Sequence, residues 1–517
     1  MDREFPGEAA GARRAPTKTA WVVWAIAGIS VLAHLVTADR YGYFRDALYY
    51  IACARHLAFG YVDMPPMAPL VTWLTLHTLG SSLLALHVFP ALANAGVIVL
   101  TAVIARELGG GRYAQGLAAL SIGLAAVYVI IAHQIAMNVF EPLLWMGCAY
   151  LVVRILKTGN QRLWLWFGVL AGLGLENKYS IAIFGLGVVV GLLLTEHRRV
   201  LRERWIYLGG MIAFAIFLPN LIWNIRYGFP FIQLMHNIYA TGKNVTLGPA
   251  AYWGEQVLMM SPVNFLVWFP GLVALFFAVG LKRFRVLGCT FVVAGLTLMI
   301  LKGKDYYSAP AYPMLLAAGS VLIERVARRF AWLKLTVPLL VILGTAPFLP
   351  MMLPILPLKT YLRYQEWLRF SPPATEKSFS RSPLPQYYSD ELGWPEMADD
   401  VAKVYNALPP AQRAETAIFG QNYGEAGAID FFGPKRGLPP AISAHQNYYF
   451  WGPRQYTGKS MIVLGDRRAR LEELFEHVTL AGHFGVPYAL EQGPIWLCTG
   501  PRGWTLRQLW PSIKVWR

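Results

Sequence analysis

Two carboxylates and two arginines crowd a short aromatic stretch near the start of the chain. Between Tyr41 and Leu70 the sequence reads YGYFRDALYYIACARHLAFGYVDMPPMAPL, with Asp46, Asp63, Arg45, Arg55 and His56 ahead of or beside Pro65-Pro66. A carboxylate there can take the proton from an attacking hydroxyl, while Lys and Arg hold the charge that grows on an anionic leaving group. A phosphate leaving group needs no strong general acid, because it departs as a stable anion. Asp46 is the candidate base. It also precedes the helix-capable run ALYYIACARHLAF, so a purely helix-capping role weighs equally. Asp63 could orient an acceptor, hold a metal or stabilise its turn. Tyr50, Arg55 and His56 are further candidates for substrate contact, although a lone His near a membrane surface is more often a hydrogen-bonded bystander.

The elements that must hold this stretch are membrane spans. Of 517 residues 56% are hydrophobic and 15% charged, and mean hydropathy is +0.41, above the soluble norm. The fold class is a polytopic α-helical membrane protein. Runs near bilayer length fall at about 20–38, 85–105, 113–131, 138–156, 163–176, 179–195, 205–224, 255–280, 286–301, 307–323 and 332–353, eleven in all. The net charge of +17 fits orientation at the cytoplasmic face and calls for no nucleic acid. With a basic tail over 1–19 inside, alternate loops carry Arg and Lys in excess, and the opposite loops keep only Arg40, Arg45, Arg55, Lys178, Arg226, Lys243, Lys302 and Lys304. Those few cations run against the bias and are the ones to suspect of binding an anion. The run Met67 to Leu84, interrupted by His77, Gly80, Ser81 and Ser82, is expected to lie along the outer interface.

From 354 to 517 the pattern turns to mixed polar and apolar, as in a small extracytoplasmic α/β domain. GWPEMADDVAKVYNAL is helical in period, while Thr416–Phe419 and Met461–Leu464 read as strands. IFGQNYGEAGAIDFFG reads as strand, turn and a helix opening near Glu425; a structural crossover outweighs an anion or sugar site. SAHQNYYFWGP suits either a sugar-facing surface or packing on the membrane face. Cys53, Cys148, Cys289 and Cys498 show no metal or redox spacing, and Cys53 could pair with Cys498.

Several short motifs in order, FRDALYYIACARHLAFGY, DMPPMAPLVTW, FEPLLW, GLENKYS and KGKDYYSAPAYP, resemble the GT-C superfamily over roughly the first 350 residues. The likeness is to glycosyltransferase family 39, in the bacterial branch of lipid A aminoarabinose transferases and more distantly to protein O-mannosyltransferases. It implies an enzyme of the inner membrane with its cavity on the periplasmic side, capped by the downstream domain. The donor would be a polyprenyl-phosphate sugar and the acceptor a hydroxyl of a lipid, glycan or protein. By this likeness Asp46 matches the catalytic acid, Asp63 has a functional role, and Lys178 faces the donor phosphate rather than pairing with Glu176. Glu141 matches an acid at the cavity edge, an alternative to capping its helix ahead of Pro142. Lys302, Lys304, Tyr306 and Tyr307 would together suit a lipid phosphate, or singly anchor the interface. Asp46 as sole catalytic carboxylate implies inversion. No cofactor is predicted; a divalent ion among Asp46, Asp63 and Glu141 is possible in principle but not required.

Departures accompany the likeness. Ala47 and Tyr49 stand where many relatives carry an acidic and a basic residue, and Met64 stands where a Lys often precedes the proline pair, implying a different donor sugar, acceptor or binding mode. The rival class is a transporter or flippase of lipid-linked glycans, which would place ionisable residues mid-span and break helices in paired halves.

Overall fold

In the computed structural model, which describes residues 18–372, 376–377 and 383–516, each expected span has a helical counterpart. The basic tail lies outside the described residues up to residue 17. The first half comprises α1 Trp21–Thr37, α2 Arg45–Ala54, α3 Met67–Thr78, α4 Leu83–Glu107, α5 Arg112–Gly123, α6 Ala126–Ala132, α7 Met137–Thr158, α8 Leu163–Asn177, α9 Ile181–Leu193 and α10 Arg204–Arg226. The second comprises α11 Pro230–Thr241, α12 Pro249–Met259, α13 Phe265–Phe277, α14 Arg285–Ile300, α15 Tyr312–Val326, α16 Leu333–Thr345, α17 Leu349–Met352 and α18 Leu358–Leu368. Among the described residues, five stretches are long and apolar enough to cross a bilayer, and up to eight if each of three bent helix pairs is one span. Eleven is reached only by adding α1, α8 and α15, of 17, 15 and 15 residues, short of the roughly 20 that a bilayer core asks for. Helix α3, at 12 residues, is too short to cross.

The expected span over 255–280 is not one rod. It breaks into α12 and the stretch from Pro262, bent by 100°, with Ser261 at a φ of 62°. Pro262 cannot donate the hydrogen bond that would continue the helix. A second break, of 61°, separates α5 from α6. The two breaks satisfy each other's backbone: Ser261 Oγ accepts from Ala126 N at 3.1 Å and donates to Leu124 O at 3.0 Å, and Asn264 Nδ2 donates to Ser121 O at 3.0 Å. Irregular backbone at membrane depth persists only where it is paired or lines a cavity, and Ala126 and Ser261 do both.

Small residues set the helix contacts. A Cβ on Gly271 of α13 would strike the backbone oxygen of Leu315, and one on Gly319 of α15 would strike that of Val267. The two backbones therefore touch, as small residues permit in membrane bundles. Gly319→Val is expected to cost about 1–3 kcal/mol by overpacking. Gly28→Val, where a Cβ meets nothing within 4 Å, serves as the neutral control; detergent-solubilised unfolding midpoints compare them.

After α18 come α19 Gln386–Ser389, α20 Trp394–Asn406, α21 Pro410–Glu415, β1 Thr416–Phe419, α22 Tyr423–Phe432, α23 Gln446–Trp451, β2 Ser460–Leu464, β3 Phe475–Phe484 and β4 Gly493–Pro501. The sheet runs β1-β2-β4-β3, with β1 parallel to β2 and the other pairs antiparallel. Both expected strands and the helix after Gly393 are present. The aromatic run around α23 packs on the C-terminal ends of α10 and α2: Phe450 lies 4.9 Å from Tyr227, and Trp451 stacks on His56 at 4.4 Å. Cys53 and Cys498 are both free thiols, buried on α2 and β4, so they do not pair.

Candidate active site

The two helix breaks, the N-terminus of α2, the turn Asp305–Ala311 and the chain between α16 and α20 enclose a cavity of about 550 Å³. Part of its lining is apolar, from Val127, Ile130, Ile131, Phe348, Met351 and Met352. Another part is polar or charged, from Arg45, Asp46, Lys304, Glu376, Asp390 and Tyr423. The chamber thus offers an apolar wall and a charged floor.

Asp46 sits in the first turn of α2, where negative charge suits the helix terminus. It does not cap the helix: the N-cap is Phe44 and no side chain caps it. Instead Asp46 Oδ1 accepts a hydrogen bond from the Tyr423 hydroxyl at 2.7 Å, from a residue 377 positions away. Tyr423 is held from both sides, stacked on Tyr49 at 4.6 Å and on His445 at 5.0 Å. Its own position is local chemistry, since Asn422 caps α22 by accepting from Gly424 N and Glu425 N. A Cβ on Gly424 would meet Arg45 Cγ, and one on Gly427 the backbone of Leu48. Glycine at these two positions lets α22 seat directly on α2.

Arg45 bridges two carboxylates, 3.9 Å from Asp46 Oδ1 and 3.7 Å from Asp390 Oδ2. Burial pushes the Asp390 carboxyl up to about 7 against the pull of Arg45. Among the described residues, Asp390 Oδ1 has no hydrogen-bond partner. Lys304 and Lys243 both approach Glu376 Oε1, at 3.4 Å and 3.6 Å. Despite burial, their charges, with that of Arg45, hold the Glu376 carboxyl below its ordinary value.

Of the residues singled out in the sequence, Asp46, Tyr50, Lys304, Tyr306 and Tyr307 line the cavity. Asp63 does not: it accepts from the Tyr49 hydroxyl at 3.0 Å behind the wall, and burial pushes its carboxyl up to about 7. Glu141 and Lys178 form a buried pair at 2.8 Å, so the ion-pair partner of Lys178 is Glu141 and not Glu176. Helix α7 starts at Met137, which puts Glu141 inside the helix rather than at its cap. Lys178 also donates to Asn138 Oδ1 at 3.0 Å and lies over the Tyr307 ring at 4.0 Å, so it braces two lining residues from outside. Lys302 is exposed and rests on Tyr239, apart from Lys304. Arg55 donates to Asp430 O, and His56 stacks on Trp451; both tie α2 to the C-terminal segment away from the cavity. Among the described residues, no three His, Cys, Asp or Glu side chains converge to hold a metal ion.

Residues 63–223 match the model of the family described as dolichyl-phosphate-mannose-protein mannosyltransferase. The crystal structure of ArnT from Cupriavidus metallidurans bound to undecaprenyl phosphate is similar, at a TM-score of 0.63 and 14% identity over 93% of this chain and 99% of that one. The apo form of the same protein gives 0.62 at the same identity and coverage. The fold is GT-C. The likeness that the ordered motifs carry is thereby borne out, while identity this low speaks to architecture alone. No curated protein sequence matches the chain. Within the GT-C fold, sequence reasoning missed Tyr423, Asp390 and Glu376 as site residues, and had Lys243 only among the outer cations suspected of binding an anion. Tyr423 lay in the strand-turn-helix read as a structural crossover, and nothing local to it points at a partner 377 positions away.

Proposed function

We propose that the protein is a membrane glycosyltransferase that moves a sugar from a polyprenyl-phosphate donor to a hydroxyl acceptor, with Asp46 as base. The observation that carries this reading is the Asp46 carboxylate, anchored through one oxygen by Tyr423, at the charged floor of a chamber with an apolar wall. That wall suits a prenyl chain, and the undecaprenyl phosphate bound to the similar ArnT fold supports the donor class. The acceptor oxygen attacks the anomeric carbon, the carbon–oxygen bond to phosphate breaks with its electron pair going to phosphate, and Asp46 takes the acceptor proton. A single displacement of this kind inverts the anomeric centre. Asp63, with its carboxyl behind the wall, supports the floor through Tyr49. The chamber opens on the outer face of a bacterial inner membrane, a placement supported by the Lys and Arg bias of the alternate loops. Residues from 354 onward form the extracytoplasmic domain that closes the chamber and supplies Tyr423 and Asp390.

The paired helix breaks favour a second reading, a transporter of lipid-linked glycans, because discontinuous helices are also a transporter device. Vesicles containing the full-length protein and a sugar-labelled polyprenyl phosphate separate the two. Label appearing on an acceptor hydroxyl supports the enzyme; label crossing to the other leaflet, still on its lipid, overturns it. Tyr423→Phe is expected to lower kcat roughly tenfold at unchanged donor KM, since a hydrogen bond to a charged group contributes about 1.5–3 kcal/mol. A rise in KM with kcat intact would assign Tyr423 to binding.

A further inference from the structure

Among the described residues, Glu376 is the one cavity carboxylate within 4 Å of two ammonium groups. Its Oε1 lies 3.4 Å from Lys304 Nζ and 3.6 Å from Lys243 Nζ, and its side chain is 8% exposed. It is held there by backbone: Glu376 bridges Asn244, and Lys377 N donates to Lys243 O at 3.2 Å. Glu376 and Lys304 line the chamber, whose lining also carries apolar side chains, and Lys243 reaches Glu376 from behind that lining. Asp46, by contrast, is gripped by a phenol and by an arginine shared with Asp390.

We propose that Lys243 and Lys304 form the seat for the phosphate of the lipid donor, and that Glu376 is the internal anion this phosphate displaces. The inference rests on the polyprenyl-phosphate reading and deepens it. A sugar phosphodiester carries one negative charge, as does the Glu376 carboxylate, so exchanging them leaves the charge balance of a poorly hydrated site unchanged. When the sugar leaves, the phosphate becomes a monoester of about −1.5 to −2 charge at neutral pH, which two ammonium groups released from Glu376 match. Return of the Glu376 carboxylate then competes with the spent lipid phosphate and favours its release.

The test titrates full-length protein in detergent with a polyprenyl monophosphate, with the uncharged polyprenol and with inorganic phosphate, reading tryptophan fluorescence. Glu376→Gln is expected to tighten polyprenyl phosphate binding at least about fivefold, the low end of typical coupling, and to leave polyprenol unchanged. Lys304→Gln weakens polyprenyl phosphate binding in both backgrounds, and the exposed neighbour Glu366→Gln matches the wild type. Glu376→Asp keeps the charge but shortens the reach, and gives the same direction should the glutamine variant not fold. Equal binding of polyprenyl phosphate by wild type and both variants overturns the seat and leaves the donor reading standing, as does tightening that extends to polyprenol. Tightening of inorganic phosphate without any binding of the lipid form supports the seat and sinks the lipid donor. Absence of binding by all three probes to every form overturns both.

Discussion

Asp46→Asn is expected to lower sugar transfer roughly a thousandfold, within the range that a positioned general base contributes. The substitution keeps the shape of the side chain. Its amide oxygen still accepts from the Tyr423 hydroxyl that meets Oδ1 at 2.7 Å, so the stack of Tyr49, Tyr423 and His445 stays in place. What disappears is the ability to take the acceptor proton. Lys243 and Lys304 are untouched, so binding of a polyprenyl phosphate should persist with its affinity within a few-fold of wild type. Single-turnover rates and lipid titrations on the same preparation measure both quantities. Transfer at the wild-type rate would remove Asp46 from the mechanism, whereas loss of lipid binding along with rate would make it a structural residue.

Arg45→Met should produce the largest loss of stability. The Arg45 and Asp390 side chains are 15% and 2% exposed, and the guanidinium is the partner that Asp390 Oδ2 faces at 3.7 Å. Removing one member of a buried pair strands the other, at about 3–5 kcal/mol. The sign of the pH dependence follows from Asp390. Burial raises its carboxyl from the ordinary 3.8 to about 7 even with Arg45 beside it. A raised carboxyl favours the protonated folded state, so this group costs stability progressively as pH rises from 3.8 to about 7, and fully above that. Without Arg45 the carboxyl rises further, so the deficit of the variant is smallest in acid and largest in mild base. Unfolding midpoints at pH 5 and pH 8 check this, and Arg45→Met with Asp390→Asn should recover most of the loss. A deficit that is the same at both pH values would show that Arg45 acts through packing alone.

Much of the membrane module was legible because bilayer spans are written in composition. Long apolar runs between basic loops leave few alternatives to helices, and the charge bias between loops orients them. Asp46 and Lys304 were legible for a related reason: charge is rare in such a sequence, so a short polar stretch between spans draws attention to itself. Position within a helix was less legible. The run over 255–280 has the composition of one span, and only the pairing of Ser261 with the backbone of Leu124 and Ala126 makes a 100° break there tolerable.

By itself the sequence determined that this chain crosses a membrane on many helices, that a charged aromatic stretch follows the first of them, and that a mixed α/β segment closes the chain. These follow from local composition and period, which act over a few turns of chain. Tertiary structure decided which charges meet: Tyr423 with Asp46, Lys178 with Glu141, Lys243 and Lys304 with Glu376. Pairings of that kind depend on how separate elements pack, as when Gly424 and Gly427 let α22 rest on α2. A buried charge takes whichever partner the packing brings within reach, and no local property of the chain encodes that choice.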